Sequence, residues 1–200
     1  MIKLILFDLG GILLELNQQF IHDDCALLDQ NSEDFWSYWL QSETVKAFDK
    51  GLCPTAEFLD SLIQDLKLSV SPEQLLIDFK AWLKGLYPGA LELVDELKEK
   101  DQLVGCLSNT NAEHWPELMK MGLEGKFDYS FASHLVHEVK PHKEIYEHVM
   151  TKTGYAAGEI LFIDDNQINV DGARNCGWHA ELCKGPEQAR EILKSYQLLS

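Results

Sequence analysis

From Tyr87 onward the sequence alternates short apolar runs with amphipathic stretches of helical length, and few folds accommodate that rhythm. Helical spacing over 90–100 is followed by a strand at 103–107, a helix near 112–121 and an apolar segment around 129–132. A helix at 143–152 then leads to a strand at 160–163, a helix near 167–175, a strand around 180–183 and a helix at 187–196. Strands separated by helices of this length must cross over in one hand, which predicts βαβ units and a parallel sheet. Upstream, the β-rich run 3–7 is stopped by Asp8-Leu9-Gly10-Gly11, the pattern of a buried strand entering a tight turn.

Between these parts, from about Glu15 to Leu86, the spacing is helical and no strand is predicted. Phe35, Trp36, Trp39 and Leu40 recur at helical intervals, Pro54-Thr55 opens a helix carrying Phe58, Leu59, Leu62, Ile63 and Leu66, and Ser71-Pro72-Glu73 opens another. The aromatic cluster Phe35, Trp36, Tyr38 and Trp39 reads as helix core, with a wall of the active site as the alternative. The expected architecture is α/β: a Rossmann-like parallel sheet core flanked by helices (1–14 and 87–200), with an all-helical cap (15–86) inserted after the first strand.

Charge narrows the function. The formal net charge of −16, with Arg174 and Arg190 as the only arginines and no basic stripe, argues against nucleic acid. No apolar run is long enough to span a membrane, and the apolar start is too short and too soon broken by Asp8 to be a signal peptide. Cys25, Cys53, Cys106, Cys176 and Cys183 form an odd set without a CxxC pair, so they read as small buried hydrophobes of a reducing, cytoplasmic compartment. The expected oligomeric state is a monomer or a weak homodimer.

In an open parallel sheet the ligand site lies beyond the carboxyl ends of the strands. What stands there is Asp8, Ser108-Asn109 and Asp164-Asp165, with Lys140-Pro141 on a loop between them. Three carboxylates suit a hard divalent cation such as Mg²⁺, while Ser108, Asn109 and Lys140 supply groups for a phosphoryl oxygen. Each has a plainer reading: Asp8 as a turn former, Lys140 as a solvated loop lysine, and the acidic pair as a cap for the next helix. His134 and His137 read as surface loop residues, and the charges at 92–100 as a solvated helix face.

Phe-Asp8-Leu-Gly-Gly, Leu107-Ser108-Asn109-Thr-Asn, Val139-Lys140-Pro141 and Phe162-Ile163-Asp164-Asp165-Asn166 resemble, in order and spacing, the four motifs of the haloacid dehalogenase-like hydrolases. The resemblance is nearest to the helical-cap branch that contains bacterial sugar-1-phosphate phosphatases. It implies a Mg²⁺-dependent phosphomonoesterase in which Asp8 is the nucleophile. Asp8, the Gly10 carbonyl and Asp165 would hold the metal, with Asp164 acting through water or a neighbour and Asn169 orienting the metal's surroundings. The implied partner is a small phosphorylated metabolite such as a sugar phosphate.

The sequence departs from that pattern where most such phosphatases carry an aspartate two residues past the nucleophile to protonate the leaving oxygen. Here the position is Gly10. Either the leaving group departs unaided, as from an anomeric or acyl phosphate, or Glu15 or His22 replaces the acid, or turnover is slow. The competing functions are a haloacid dehalogenase, which would leave Asp164-Asp165 unexplained, and a non-catalytic phosphate-binding module. The few basic residues of the insert (Lys46, Lys50, Lys67, Lys80, Lys84) disfavour multiply phosphorylated ligands.

Overall fold

The structure, a computed structural model, describes residues 1–17, 38–39 and 41–200; Cys25, His22, Phe35, Trp36 and Leu40 lie outside the described residues. Five strands, β1 (Leu4–Phe7), β4 (Leu103–Ser108), β5 (Tyr129–Ala132), β6 (Ile160–Asp164) and β7 (His179–Leu182), form one sheet in the order β5-β4-β1-β6-β7. Every pairing is parallel. Side chains alternate across it with period two. Ile5, Phe7, Leu161 and Ile163 enter one layer with helix α4 (Ala90–Glu99) and helix α9 (Gly185–Ser195). Leu4, Leu6, Ile160 and Phe162 enter the opposite layer with α7 (Lys143–Thr153) and α8 (Gln167–Asn175). Burial on both faces explains why these strands read as continuous apolar runs.

Two short strands contradict the expectation of an unbroken helical stretch. β2 (Leu14–Leu16) and β3 (Leu83–Leu86) pair antiparallel as a separate two-stranded ribbon, with a register irregularity at Glu15/Leu16. The helical insert therefore begins after the second strand, and its two ends leave the core side by side.

Within the insert, α1 (Glu43–Asp49), α2 (Thr55–Leu66) and α3 (Pro72–Lys80) are set by local signals. Ser42 and Ser71 cap α1 and α3 by accepting from Val45 N and Gln74 N. Their apolar faces meet in a core of their own, where Phe48 stacks on Phe58 at 4.0 Å and Trp39 packs edge-on to Trp82 at 4.9 Å. Trp39 is thus core, as its spacing predicts. Leu16 alone among the described residues packs against both this core and that of the sheet. Helix 112–121 is shorter than expected: α5 (Trp115–Leu118) passes into a π turn (Met119–Leu123) that ends at Gly122. Among the described residues, no helix is long and apolar enough to cross a membrane.

Candidate active site

The connections from β1 run outward to β4 and β5, then return across to β6 and β7, so the chain reverses direction between β1 and β6. That reversal opens a crevice at the carboxyl edge, the usual ligand position in such sheets. Phe7 pairs with Ile163, and the Asp8 amide donates to the Ile163 carbonyl at 2.8 Å. Asp8 and Asp164 therefore stand side by side at the crevice, with Ser108 buried at the end of the neighbouring β4.

Asp8, Asp164 and Asp165 each bring a carboxylate oxygen within 4.8 Å of the others. Lys140, only 4% exposed, places its Nζ 2.7 Å from Asp164 Oδ2 and 3.0 Å from Asp8 Oδ1. The ammonium also lies 5.1 Å from the centre of the Phe162 ring. The loop holding it is fixed by Asn109, whose Nδ2 donates to the Lys140 carbonyl (3.0 Å) and whose Oδ1 accepts from the Lys140 amide (2.9 Å). The side-chain amide of Asn109 is thus engaged with the main chain of Lys140.

Asp164 is saturated. Its Oδ1 accepts from the Asn166 amide (2.7 Å) and Asn169 Nδ2 (3.2 Å), and its Oδ2 from Lys140 and Asn169 Nδ2 (3.1 Å). The helix that follows is capped by Asn166, which accepts from Ile168 N, so capping does not account for the acidic pair. Gly11 has a left-handed backbone, and a Cβ there would lie 2.1 Å from Asp165 Oδ2, so only glycine lets Asp165 reach the cluster.

Electrostatics follow from burial. Burial, reinforced by Asp164 and Asp165 and opposed by Lys140, pushes the Asp8 carboxyl up to about 7. Burial and then Asp164 raise Asp165 as well. For Lys140, burial works against the charge, but Asp164 and Asp8 outweigh it and hold the ammonium above its ordinary range. Asp8 Oδ1 is buried with only the Lys140 ammonium, 3.0 Å away and poorly aligned, beside it, and the side-chain groups of the cluster that could ligate a metal are all carboxylates. A cluster of three carboxylates that burial makes hard to ionise, opposed by the single ammonium of Lys140, fits a hard divalent cation. With such a cation the cluster can bring an anionic oxygen and a phosphoryl group together; Lys140 offers a second positive charge.

The insert closes over this edge through contacts that sequence reasoning missed. Asn111 Nδ2 donates to Asp49 Oδ1 (3.3 Å), and His114 packs under Phe79. Gly51, also left-handed, presses on the His134 carbonyl, 2.5 Å from where a Cβ would lie. His134, expected on the surface, is buried, its ring edge-on to Trp115; His137 is exposed and donates through Nδ1 to the Lys50 carbonyl. Glu15 pairs with Lys84 across the ribbon.

Asp49 carries a pH prediction. Burial pushes its carboxyl up to about 7, against the hydrogen bond from Asn111. The unfolded chain ionises it near 4, so between about 4 and 7 the folded state binds the extra proton and stability falls as pH rises. Asp49→Asn should therefore match the wild type near pH 4.5 and exceed it at pH 8, by on the order of 1–4 kcal/mol. Denaturant melts at both values check this; a gap independent of pH would refute it.

Comparison with known proteins agrees with the geometry. The haloacid dehalogenase-like hydrolase family matches residues 2–177. The sesquiterpene phosphatase astK of Aspergillus oryzae is 30% identical over 178 residues, covering 88% of this chain and 86% of that protein. Among solved structures, an enzyme of the same family from Bacteroides thetaiotaomicron, bt-2542, in complex with magnesium and inorganic phosphate, superimposes with a TM-score of 0.74 at 27% identity. That match covers 92% of this chain and 95% of the other. An L-2-haloacid dehalogenase from Xanthobacter autotrophicus shares the fold, with a TM-score of 0.66 at 22% identity over 97% of this chain and 83% of its own.

Proposed function

Because the chain belongs to the haloacid dehalogenase-like hydrolases, we propose that it is a Mg²⁺-dependent phosphomonoesterase acting on small phosphorylated metabolites through an aspartyl-phosphate on Asp8. The observation that carries this reading is the convergence of Asp8, Asp164 and Asp165 within 4.8 Å under a buried lysine. A dehalogenase displacing halide from carbon needs no divalent cation and would leave the Asp164-Asp165 pair unexplained.

In this reading Asp8, Asp165 and the Gly10 carbonyl hold the metal. Asp164, its lone pairs taken, keeps Lys140 and Asn169 in place. Mg²⁺ bound there supplies positive charge against the phosphoryl oxygens. Asp8 attacks phosphorus, its oxygen–phosphorus bond forms as the bond to the leaving oxygen breaks, and the ester oxygen leaves with that electron pair. Water then cleaves the acyl phosphate, returning the Asp8 carboxylate and inorganic phosphate. Ser108 and Lys140 hold the transferring group throughout, and Lys140 offsets the repulsion between two anions. The helical insert between β2 and β3, within the expected 15–86, acts as a lid on the α/β core, excluding water and sorting leaving groups.

Gly10 has no proton to give, and Glu15 is tied to Lys84, so the enzyme favours esters whose leaving oxygen departs unprotonated. Anomeric sugar phosphates have such a leaving oxygen, and so do acyl phosphates, which are mixed anhydrides. The test is Mg²⁺-dependent phosphate release from a panel ranked by leaving-group acidity: acetyl phosphate, glucose 1-phosphate, glucose 6-phosphate and, after the fungal relative, a sesquiterpenyl phosphate. The expected result is turnover that chelation abolishes and that falls down the ranking. No release from any member, with Mg²⁺ bound, would refute the reading.

A further inference from the structure

The four residues Asn111–His114 follow the Ser108-Asn109 turn after Thr110, and three of them grip the insert. Asn111 Nδ2 donates to Asp49 Oδ1 at the end of α1 (3.3 Å). Glu113 accepts from Thr55 Oγ1 at the start of α2 (2.7 Å) and pairs with Lys80 at the end of α3 (2.8 Å). His114, buried, stacks on Phe79 with ring centres 4.1 Å apart and sets its Nε2 2.8 Å from the Phe79 carbonyl. A carbonyl only accepts, so Nε2 carries the hydrogen and Nδ1 is bare. The bare Nδ1 faces Asn111 Nδ2 at 3.5 Å, while Asn111 Oδ1 accepts from the His114 amide at 3.0 Å. Burial agrees with a neutral ring, pushing its pKa down to about 4 against the pull of Glu113 and with Lys80 adding to the fall.

These contacts join two hydrophobic cores that share Leu16 as their one common apolar side chain among the described residues. A second polar junction lies where Lys50 and Gly51 meet His134, His137 and Glu138. Contacts made of hydrogen bonds and ion pairs come apart at modest cost, because water replaces each partner. The insert can thus leave the core without exposing a large apolar interface at this seam. Its departure, however, removes Asp49 from Asn111 and Phe79 from His114, three and six residues beyond Ser108. The turn keeps its own bonds, from the Glu113 and His114 amides to Asn111 Oδ1, and those of Thr110 with Ser133. Asn109, between Ser108 and Asn111, anchors the Lys140 loop.

We propose that His114 is a positioning residue: docked against Phe79, it fixes the Asn111 turn and so sets Ser108 and, through Asn109, Lys140 for phosphoryl transfer only when the insert is closed. This rests on the phosphatase reading for its catalytic half. A hydrolase built so would not commit Asp8 to attack while water has free access.

The test compares His114→Phe, which keeps the stacking on Phe79 but loses both nitrogens, with His114→Gln, whose amide can still donate to the Phe79 carbonyl. Measured are kcat and KM for the best ester of the panel, Tm, and amide hydrogen exchange of 109–118 with Mg²⁺ and inorganic phosphate present. Expected for His114→Phe is a kcat loss on the order of tenfold or more, a KM within about threefold, a Tm lower by only a few degrees for the lost buried hydrogen bond, and faster exchange at 109–111. His114→Gln should restore most of the rate and the slow exchange. Unchanged exchange and kcat in His114→Phe, or a loss in both variants that tracks Tm, would overturn the proposal. If the wild type hydrolyses nothing, the phosphatase reading fails by itself, and the exchange comparison still decides whether His114 couples the insert to the turn.

Discussion

Asp8→Asn should abolish phosphate release, by on the order of 10⁴-fold or more, and at the same time make the metal-free protein harder to unfold at pH 8. The two effects have one cause. The carboxylate that must attack is held among Asp164 and Asp165 in a buried crevice, which pushes its pKa up to about 7. In the unfolded chain it ionises near 4, so above about pH 7 the folded state bears the full cost of that charge, and below about 4 none of it. An amide of the same shape removes the charge and the nucleophile together. Lys140 keeps Asp164 at 2.7 Å, so no buried cation is stranded. Each kcal/mol relieved should raise Tm by about 2–4 °C for a chain of this size. The gain should shrink at pH 4.5 and in saturating Mg²⁺. A variant that stays active, or melts lower than the wild type at pH 8, would count against Asp8 as a strained nucleophile.

Gly10→Asp should work the other way and create an activity. The backbone at Gly10 lies outside the left-handed region, and an added Cβ would meet only the Leu16 side chain, with Cδ1 at 3.3 Å. Leu16 can yield a few tenths of an ångström by a small turn of its side chain, so the aspartate should be accommodated. A carboxylic acid there stands two residues beyond Asp8, where the related phosphatases keep theirs. General acid assistance is worth roughly 10²–10⁴-fold, and it is worth most where the leaving oxygen is most basic. The variant should therefore gain by that factor on glucose 6-phosphate and similar alkyl esters, and little on acetyl phosphate. A plot of log rate against leaving-group pKa should flatten. Equal gains on all esters, or none, would mean that the missing acid is not what limits the natural enzyme.

The residues that proved legible in the sequence are those whose role is written locally. Asp8 and Asp164 mark the ends of fully buried strands, and apolar runs of four or five residues announce such strands without help from distant contacts. Once the strands are known, the parallel register brings both carboxylates to one edge. The ribbon could not be read this way. Leu14–Leu16 and Leu83–Leu86 are too short for period two to show, and each forms only because the other lies beside it across the whole insert. His114 was silent for a similar reason: its partners, Phe79 and Asp49 by way of Asn111, are 35 and 62 residues from the groups they meet. His134 reads as a surface residue because nothing near it in sequence announces that its ring will meet Trp115 and its backbone Gly51.

The ribbon also bears on how such a protein can diversify. The insert brings its own aromatic core and leaves the sheet through two adjacent strands, with Leu16 as the one described side chain that both cores share. A replacement insert of different length or helix count has to match two neighbouring ends, one aliphatic contact and the polar contacts to the sheet's edge. Substrate choice could then be exchanged as a cassette, by recombination or by design, while the carboxylates and Lys140 stay untouched. The seam at Asn111–His114 sets the condition for a working graft: a foreign insert must offer a carbonyl to His114, or the hybrid will fold and remain idle.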